Sequence, residues 1–134
     1  MSKNALVLIG HGSRLPYNFE AITTLAKIIE KNYDWDIVKY CFNEMNEPSI
    51  PNALQDVCTD KNVTKIVFAP VFIAAGAHIK EDIPKALGLP EGQTTDDRNI
   101  NGVMRKIILS GPVGADEGLA AIIENKAKAL LWNI

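Results

Sequence analysis

The chain has 134 residues, of which 47% are hydrophobic and 22% charged, and its formal net charge is −2 at pH 7. This size and composition predict a single domain over residues 1–134 with its own core. The acidic balance argues against a nucleic-acid partner, and no apolar run approaches the roughly 18 residues that cross a bilayer. The two cysteines lack the spacing of a disulfide or metal framework, and the early first strand leaves no room for a signal peptide. We therefore expect a cytoplasmic protein that binds neither nucleic acid nor membrane.

Strand and helix patterns alternate along the chain, which is typical of a parallel β-sheet covered by helices. The apolar runs predict four strands, at Ala5–Ile9, Asp36–Phe42, Lys65–Phe72 and Val103–Leu109. Helices are predicted from Pro16 to about Asn32, after Ser49, over Glu81–Leu87, and from about Asp116 to Asn133. The last helix carries an apolar stripe that is expected to face inward, formed by Leu119, Ile122, Ile123, Ala127, Leu130 and Leu131. Residues 89–102 show no periodicity and predict a mobile loop.

Four parallel strands joined by right-handed crossovers favour the flavodoxin-like order 2-1-3-4. The predicted fold class is therefore α/β, a four-stranded parallel sheet flanked by helices in a three-layer sandwich. Strands 1 and 3 are neighbours in this order. The crevice at their carboxyl ends is the topological switch point where such sheets bind ligands.

Both histidines of the chain follow these two strands. His11 lies in Gly10-His11-Gly12-Ser13-Arg14 after the first strand, and His78 lies in a predicted loop after the third. Glu44 and Glu47 follow the second strand and offer the nearest carboxylates. Two imidazoles with a carboxylate suit cobalt, nickel or zinc, so the sequence predicts an open metal or acid/base site.

Other interpretations of these loops remain open. Gly10–Ser13 could cradle an anion at the start of a helix, although it lacks both the Gly-x-Gly-x-x-Gly and the Walker A spacing. A nucleophilic histidine of the phosphatase type would need several arginines around one phosphate, and the chain offers only three. The small apolar segment Phe72–Ala77 is suited to a flat apolar ligand, or it simply completes the core.

Four motifs, in matching order over nearly the whole chain, resemble a known family. They are LVLIGHGSRLPYN, NEPSIPNAL, VFAPVFIAAGAHIKEDIPKALG and GPVGADEGLA. Together they are similar to the small CbiX-type sirohydrochlorin chelatases of cobalamin synthesis and to their nickel-inserting counterparts in methanogenic archaea. The resemblance implies an ATP-independent class II chelatase, a lyase that inserts Co²⁺ or Ni²⁺ into a tetrapyrrole. It also implies a homodimer with no permanently bound cofactor, in which the metal is a substrate.

The resemblance assigns roles to individual residues. His11 corresponds to the metal-binding histidine that also accepts protons, His78 to the second metal ligand, and Glu47 to a carboxylate that contacts the substrate. The loop that lines the tetrapyrrole corresponds to Phe72, Ile73, Ala74, Ala75, Gly76 and Ala77. The segment after DIPKALG lacks the histidine-rich tract of some relatives. A non-catalytic tetrapyrrole or metal carrier and a flavodoxin-like phosphate-binding module remain the alternatives.

Overall fold

A computed structural model describes residues 1–74 and 76–132, and for His78 it describes the backbone alone. Five strands form one sheet: β1 (Lys3–Gly10), β2 (Ile37–Phe42), β3 (Val63–Pro70), β4 (Thr95–Ile100) and β5 (Val103–Leu109). Four helices connect or follow them: α1 (Pro16–Asn32), α2 (Ile50–Val57), α3 (Ala77–Ala86) and α4 (Glu117–Leu131). No helix in these described ranges is both long and apolar enough to cross a membrane.

The strand order is β2-β1-β3-β5-β4, and the first four of these strands are parallel. The α/β class and the predicted order of the four parallel strands are therefore confirmed. β1 is an inner strand between β2 and β3, and its residues from Ala5 to Gly10 are all buried. α2 and α3 cover one face of the sheet, and α1 covers β1 and β2 on the other.

The prediction of a mobile loop at 89–102 is wrong for about half of its residues, because Thr95–Ile100 forms an additional strand, β4. It pairs antiparallel with β5, from Thr95 opposite Ile108 to Ile100 opposite Val103. The connection is the dipeptide Asn101-Gly102, with both residues at positive φ (54° and 80°). Asn-Gly is the strongest short hairpin signal, since both residues tolerate the left-handed conformation that a tight turn requires. The polar composition of the strand hid it, because β4 is an edge strand with alternate residues exposed.

The last helix also differs from expectation. α4 begins within one residue of the predicted start, and the side chain of its N-cap residue, Asp116, accepts a hydrogen bond of 2.7 Å from the Gly118 amide. None of its residues is buried, however, and the large apolar residues expected to face inward are mostly exposed. The periodicity of a helix identifies its apolar face but not the surface that covers it.

Candidate active site at the carboxyl edge of the sheet

His11 is positioned by two loops that are joined through their backbones. The Asn43 amide donates to the Gly10 carbonyl oxygen (2.9 Å), and the Glu44 amide donates to the His11 carbonyl oxygen (3.2 Å). Gly12 has φ +91°, and a Cβ at this position would lie 1.7 Å from the Glu44 carbonyl oxygen. Only glycine permits this conformation and this approach. The Gly-His-Gly sequence therefore brings the loop after β2 against His11.

The His11 side chain is half-exposed and has a defined polar environment. Its Nδ1 atom lies 3.3 Å from the Gly12 carbonyl oxygen and 3.6 Å from Glu44 Oε1. These two acceptors favour the tautomer that carries its proton on Nδ1, which places the lone pair on Nε2. The ring also meets Phe72 edge-on, with centroids 5.9 Å apart. His11 thus has the orientation of a ligand or proton acceptor, held by an aromatic ring and a carboxylate.

The two candidate carboxylates have different partners in the structure. Glu44 faces His11, whereas Glu47 Oε2 accepts a hydrogen bond from the Ser49 amide (3.2 Å) just before α2. Glu44 is half-exposed, so its charge is available to a ligand in the crevice. The resemblance pointed to Glu47 alone, because sequence motifs do not reveal which of two nearby carboxylates reaches the histidine.

His78 lies in the first turn of α3, not in a loop, because the helix begins at Ala77 rather than near Glu81. Gly76 is its N-cap residue, and Pro84 is accommodated within the helix. The role assigned to the His78 side chain lies outside what the structure describes, and so does the role of Ala75. Helix α3 begins a few residues beyond the end of β3, the strand that neighbours β1. Its first turn therefore follows the strand beside the one that carries His11.

The described residues of the apolar segment after β3 are mostly exposed at the surface. Phe72 is half-buried against His11, while Ile73, Ala74, Gly76 and Ala77 are exposed. Large apolar side chains are also exposed on the other loops of this edge, at Leu15, Met45 and Val113, and in the first turn of α1, at Tyr17. Clustered apolar exposure of this kind marks a binding surface more often than an accident of packing. This edge of the sheet is therefore suited to a flat apolar ligand or to a partner surface.

A cavity of about 920 Å³ opens beside Phe72, between α3, residues 89–94 and the segment after β5. Its lining is mainly apolar and includes Ile79, Ile83, Leu89 and Leu109, with Lys80 and Lys85 among the charged residues. A volume near the upper end of ordinary ligand pockets can hold part of a large organic molecule. The sequence did not predict this cavity, because residues 89–94, which form one of its walls, belong to the segment predicted as a mobile loop.

The anion-cradle interpretation loses support, because the amides of this loop already have partners. The Gly12 amide donates to Asn18 Oδ1 (2.9 Å), the Ser13 amide to Asn46 Oδ1 (2.9 Å) and the Leu15 amide to Ser13 Oγ (3.1 Å). A phosphate site needs such amides free and pointing at the ligand. The geometry therefore favours a site built on His11 and Glu44 over a phosphate-binding loop.

Comparison with proteins of similar sequence identifies the family of this α/β chain. The CbiX family model matches residues 5–130, and the chain belongs to this family. The sirohydrochlorin cobaltochelatase of Methanopyrus kandleri is 37% identical, with 95% of this chain and 96% of that protein covered. The protein of the same name from Methanosarcina barkeri is 36% identical, with 96% and 98% covered.

Solved structures share the fold at lower identity. A cobalamin biosynthesis CbiX protein from Marinobacter aquaeolei superposes with a TM-score of 0.70 at 21% identity, over 98% of this chain and 99% of that one. The sirohydrochlorin chelatase SirB from Bacillus subtilis, in complex with cobalt, gives a TM-score of 0.73 at 22% identity. That match covers 95% of this chain but 50% of SirB. At these identities the likeness establishes the fold.

Proposed function

We propose that this protein is an ATP-independent class II chelatase that inserts Co²⁺ into sirohydrochlorin. The observation that carries the proposal is His11, a half-exposed imidazole at the switch point, with Glu44 3.6 Å from Nδ1 and Phe72 against its ring. The chain's membership of the CbiX family and its full-length similarity to sirohydrochlorin cobaltochelatases support it.

The chemistry requires two pyrrole N–H protons to leave while the incoming ion sheds water. A neutral imidazole can accept a proton or bind a first-row divalent ion through its lone pair, and the environment of Nδ1 directs that role to Nε2 of His11. Glu44 is placed to stabilise the imidazolium that forms and to pass its proton to solvent. His78, in the first turn of α3, is proposed as the second ligand of the metal substrate. A site with few ligands holds the ion only transiently, which delivery into the macrocycle requires.

The tetrapyrrole would be held by apolar contact and by charge. We propose that its face rests on the loop from Phe72 to Ala77 and on the exposed apolar side chains of the neighbouring loops. Lys80, in the wall of the 920 Å³ cavity, would meet a peripheral carboxylate. Glu47, whose carboxylate accepts a hydrogen bond from the Ser49 amide, would contact the substrate, as its motif implies.

We further propose that the enzyme is a cytoplasmic homodimer that also accepts Ni²⁺, with no permanently bound cofactor. Nitrogen ligands bind cobalt and nickel similarly, so the ion inserted would follow the supply of metal and the downstream pathway, cobalamin synthesis or methanogenesis. The dimer is favoured because the chain spans half the length of SirB, so that two copies match one such chain.

The test is an anaerobic absorbance time course with sirohydrochlorin in tenfold excess over enzyme, run separately with cobalt and with nickel. A chelatase completes many turnovers, whereas a carrier stops after one equivalent of substrate per chain. A spectrum that does not change beyond the uncatalysed rate would overturn the proposal. The ratio of the two initial rates ranks the metals.

A further inference from the structure

The segment Gly111–Gly114 continues β5 towards α4 and belongs to the last of the four sequence motifs. The Val113 amide donates to the Phe72 carbonyl oxygen and the Gly114 amide donates to the Ile73 carbonyl oxygen, each at 2.8 Å. In the described part of the chain, no other backbone hydrogen bond reaches Phe72 or Ile73 from a neighbouring segment. These two bonds therefore fix the backbone at the start of the apolar segment after β3.

The two bonds do not continue the regular ladder between β3 and β5. The bond from the Ser110 amide to the Phe68 carbonyl oxygen (2.9 Å) extends that ladder, but the next donor in the same register would be Pro112, which has no amide hydrogen. Pairing resumes after three residues on the β5 side, from Ser110 to Val113, and after four on the β3 side, from Phe68 to Phe72. The extra residue on the β3 side has the form of a β-bulge, and bulges beside active sites re-aim a side chain.

The side chain at the end of this irregular stretch is that of Phe72. Its ring meets the His11 ring edge-on, with centroids 5.9 Å apart, and it also packs on the hydrophobic core. The next side chain, Ile73, is exposed. The carbonyl groups of both residues are held by the segment after β5, so these bonds determine how Phe72 stands against His11 and how the loop presents Ile73.

Gly114 is the residue on which this arrangement depends. Its φ of +71° lies in the left-handed region, which glycine adopts without steric cost. An added Cβ would meet only the Pro112 carbonyl oxygen at 3.9 Å, so the requirement for glycine comes from the backbone conformation and not from a lack of space. The Gly114 carbonyl oxygen also accepts a hydrogen bond from the Asp116 amide (3.0 Å), just before α4. A residue that left this conformation could not keep both its amide and its carbonyl partner.

We propose that Gly114 is a positioning residue for the active site. Through the Val113 and Gly114 amides it holds Phe72 against the His11 ring and fixes the loop on which the tetrapyrrole face would rest. The inference deepens the proposed function and rests on it for the identity of the substrate. The contact between Phe72 and His11 that it explains does not depend on which ligand binds.

The first test needs no substrate. Gly114→Val places a β-branched residue at positive φ, and Gly102→Val is the matched control, because Gly102 has φ +80° in open space at the β4–β5 turn. Both should lower the urea midpoint to a similar extent. The chain has two histidines, so the ring protons of His11 can be followed by NMR and assigned with His11→Ala. Gly114→Val should move these resonances towards their positions in Phe72→Leu, while Gly102→Val should leave them at the wild-type positions.

Resonances of His11 that stay at the wild-type positions in folded Gly114→Val would overturn the proposal. Hydrogen exchange of the wild-type protein gives a second test, which does not depend on whether a variant folds. The Val113 and Gly114 amides should exchange at least about tenfold more slowly than amides without a partner. Exchange at the unprotected rate would show that the two bonds do not hold the loop, and would also overturn the proposal.

Kinetics then test whether Gly114 acts through Phe72. In Gly114→Val, kcat/KM for sirohydrochlorin should fall at least about tenfold. In Gly114→Asn it should fall less than about threefold, because Asn tolerates the left-handed region. In a double-mutant cycle, Gly114→Val should have no further effect once Phe72 has been replaced by Leu.

An equal loss in Gly114→Val with and without Phe72→Leu would show a route that does not involve Phe72, and equal losses in the Asn and Val variants would exclude the backbone conformation as the cause. Either result contradicts the proposal. The wild-type insertion rate tests the chelatase function separately, since the NMR and exchange measurements assess Gly114 even if no metal is inserted.

Discussion

Two basic side chains, Arg105 and His11, lie at opposite edges of the same sheet and differ in burial and in hydrogen bonding. Arg105 is 1% exposed, and it donates to the carbonyl oxygens of Cys58, Asp60, Val63 and Ile100 at 2.9–3.2 Å. The His11 side chain is 48% exposed. Among the described residues, its polar contacts are those of Nδ1 with the Gly12 carbonyl oxygen and the Glu44 carboxylate.

This difference distinguishes the amino edge, where side chains stabilise the fold, from the carboxyl edge, where side chains are available to a ligand. At the amino edge a permanent charge is desolvated, but each of its three nitrogens donates a hydrogen bond, and these bonds connect the loop before β3 to the β4–β5 hairpin. The same edge holds Asp60, whose pKa is lowered by hydrogen bonds from the Asn62 amide and the Lys3 side chain. At the carboxyl edge, polar and apolar groups are left without full partners, which a binding site requires. The account therefore predicts that changes at one edge affect folding and changes at the other affect turnover.

Arg105→Met should give the largest loss of stability. It removes the Arg105 donor from four backbone carbonyls, of which those of Cys58 and Asp60 keep a second donor. We expect the free energy of unfolding to fall by at least about 3 kcal/mol in a urea titration. Turnover per folded molecule should not change. Arg98→Met is the control, because Arg98 is only partly buried beside Asp96, and its loss should cost about 1 kcal/mol or less. Equal losses in the two variants would refute the distinction.

Gly12→Ala, at the carboxyl edge, should lower both the free energy of unfolding and the turnover. The new methyl group would clash with the Glu44 carbonyl oxygen at a residue with φ +91°, which costs on the order of 1–3 kcal/mol and moves Glu44 away from His11. We expect turnover to fall at least about tenfold. Gly111→Ala, where an added Cβ meets nothing within 4 Å, is the control for the steric effect and should leave the free energy of unfolding unchanged. A Gly12→Ala enzyme with wild-type kinetics would show that the loop contact does not position the site.

Glu44→Gln and Glu47→Gln should differ in kind. Glu44 faces His11, so the loss of its charge should lower kcat about tenfold with little change in KM. Glu47 is expected to contact the substrate, so its amide variant should raise KM while kcat stays within about twofold. Steady-state cobalt insertion at varied sirohydrochlorin distinguishes them. The reverse assignment of kcat and KM effects would make Glu47 the proton-handling carboxylate.

The thiols should give the smallest effect. Burial raises the pKa of Cys41 to about 12 and also raises that of Cys58. Both thiols stay protonated at pH 8, so the folded protein should react with a thiol reagent only as fast as it unfolds. Arg105→Met should accelerate the labelling of Cys58 more than that of Cys41, because the Cys58 carbonyl loses the hydrogen bond from Arg105. Mass spectrometry of the labelled peptides gives the two rates, and rapid labelling of wild type would contradict the burial.

The parallel strands, the cap of α2, the start of α4 and the position of His11 could be predicted because each depends on a local pattern. Continuous apolar runs mark buried strands, and Ser49 accepts the capping bond from the Asn52 amide as its sequence indicates. What could not be predicted depends on distant partners. The surface that covers α4 is not encoded in its periodicity. Glu44 rather than Glu47 lies beside His11 because Gly12, which has no side chain, allows the loop after β2 to approach closely. β4 could have been found from Asn101-Gly102, but its polar composition outweighed that signal.

The central claim is that His11 performs the chemistry at an edge of the sheet where folding does not need it. The measurement is the anaerobic rate of cobalt insertion by wild type and by His11→Ala, with the urea midpoint of each recorded alongside. The account predicts a loss of turnover of at least about 100-fold with an unchanged midpoint. Wild-type turnover in the folded His11→Ala protein would contradict it and move the chemistry away from this crevice.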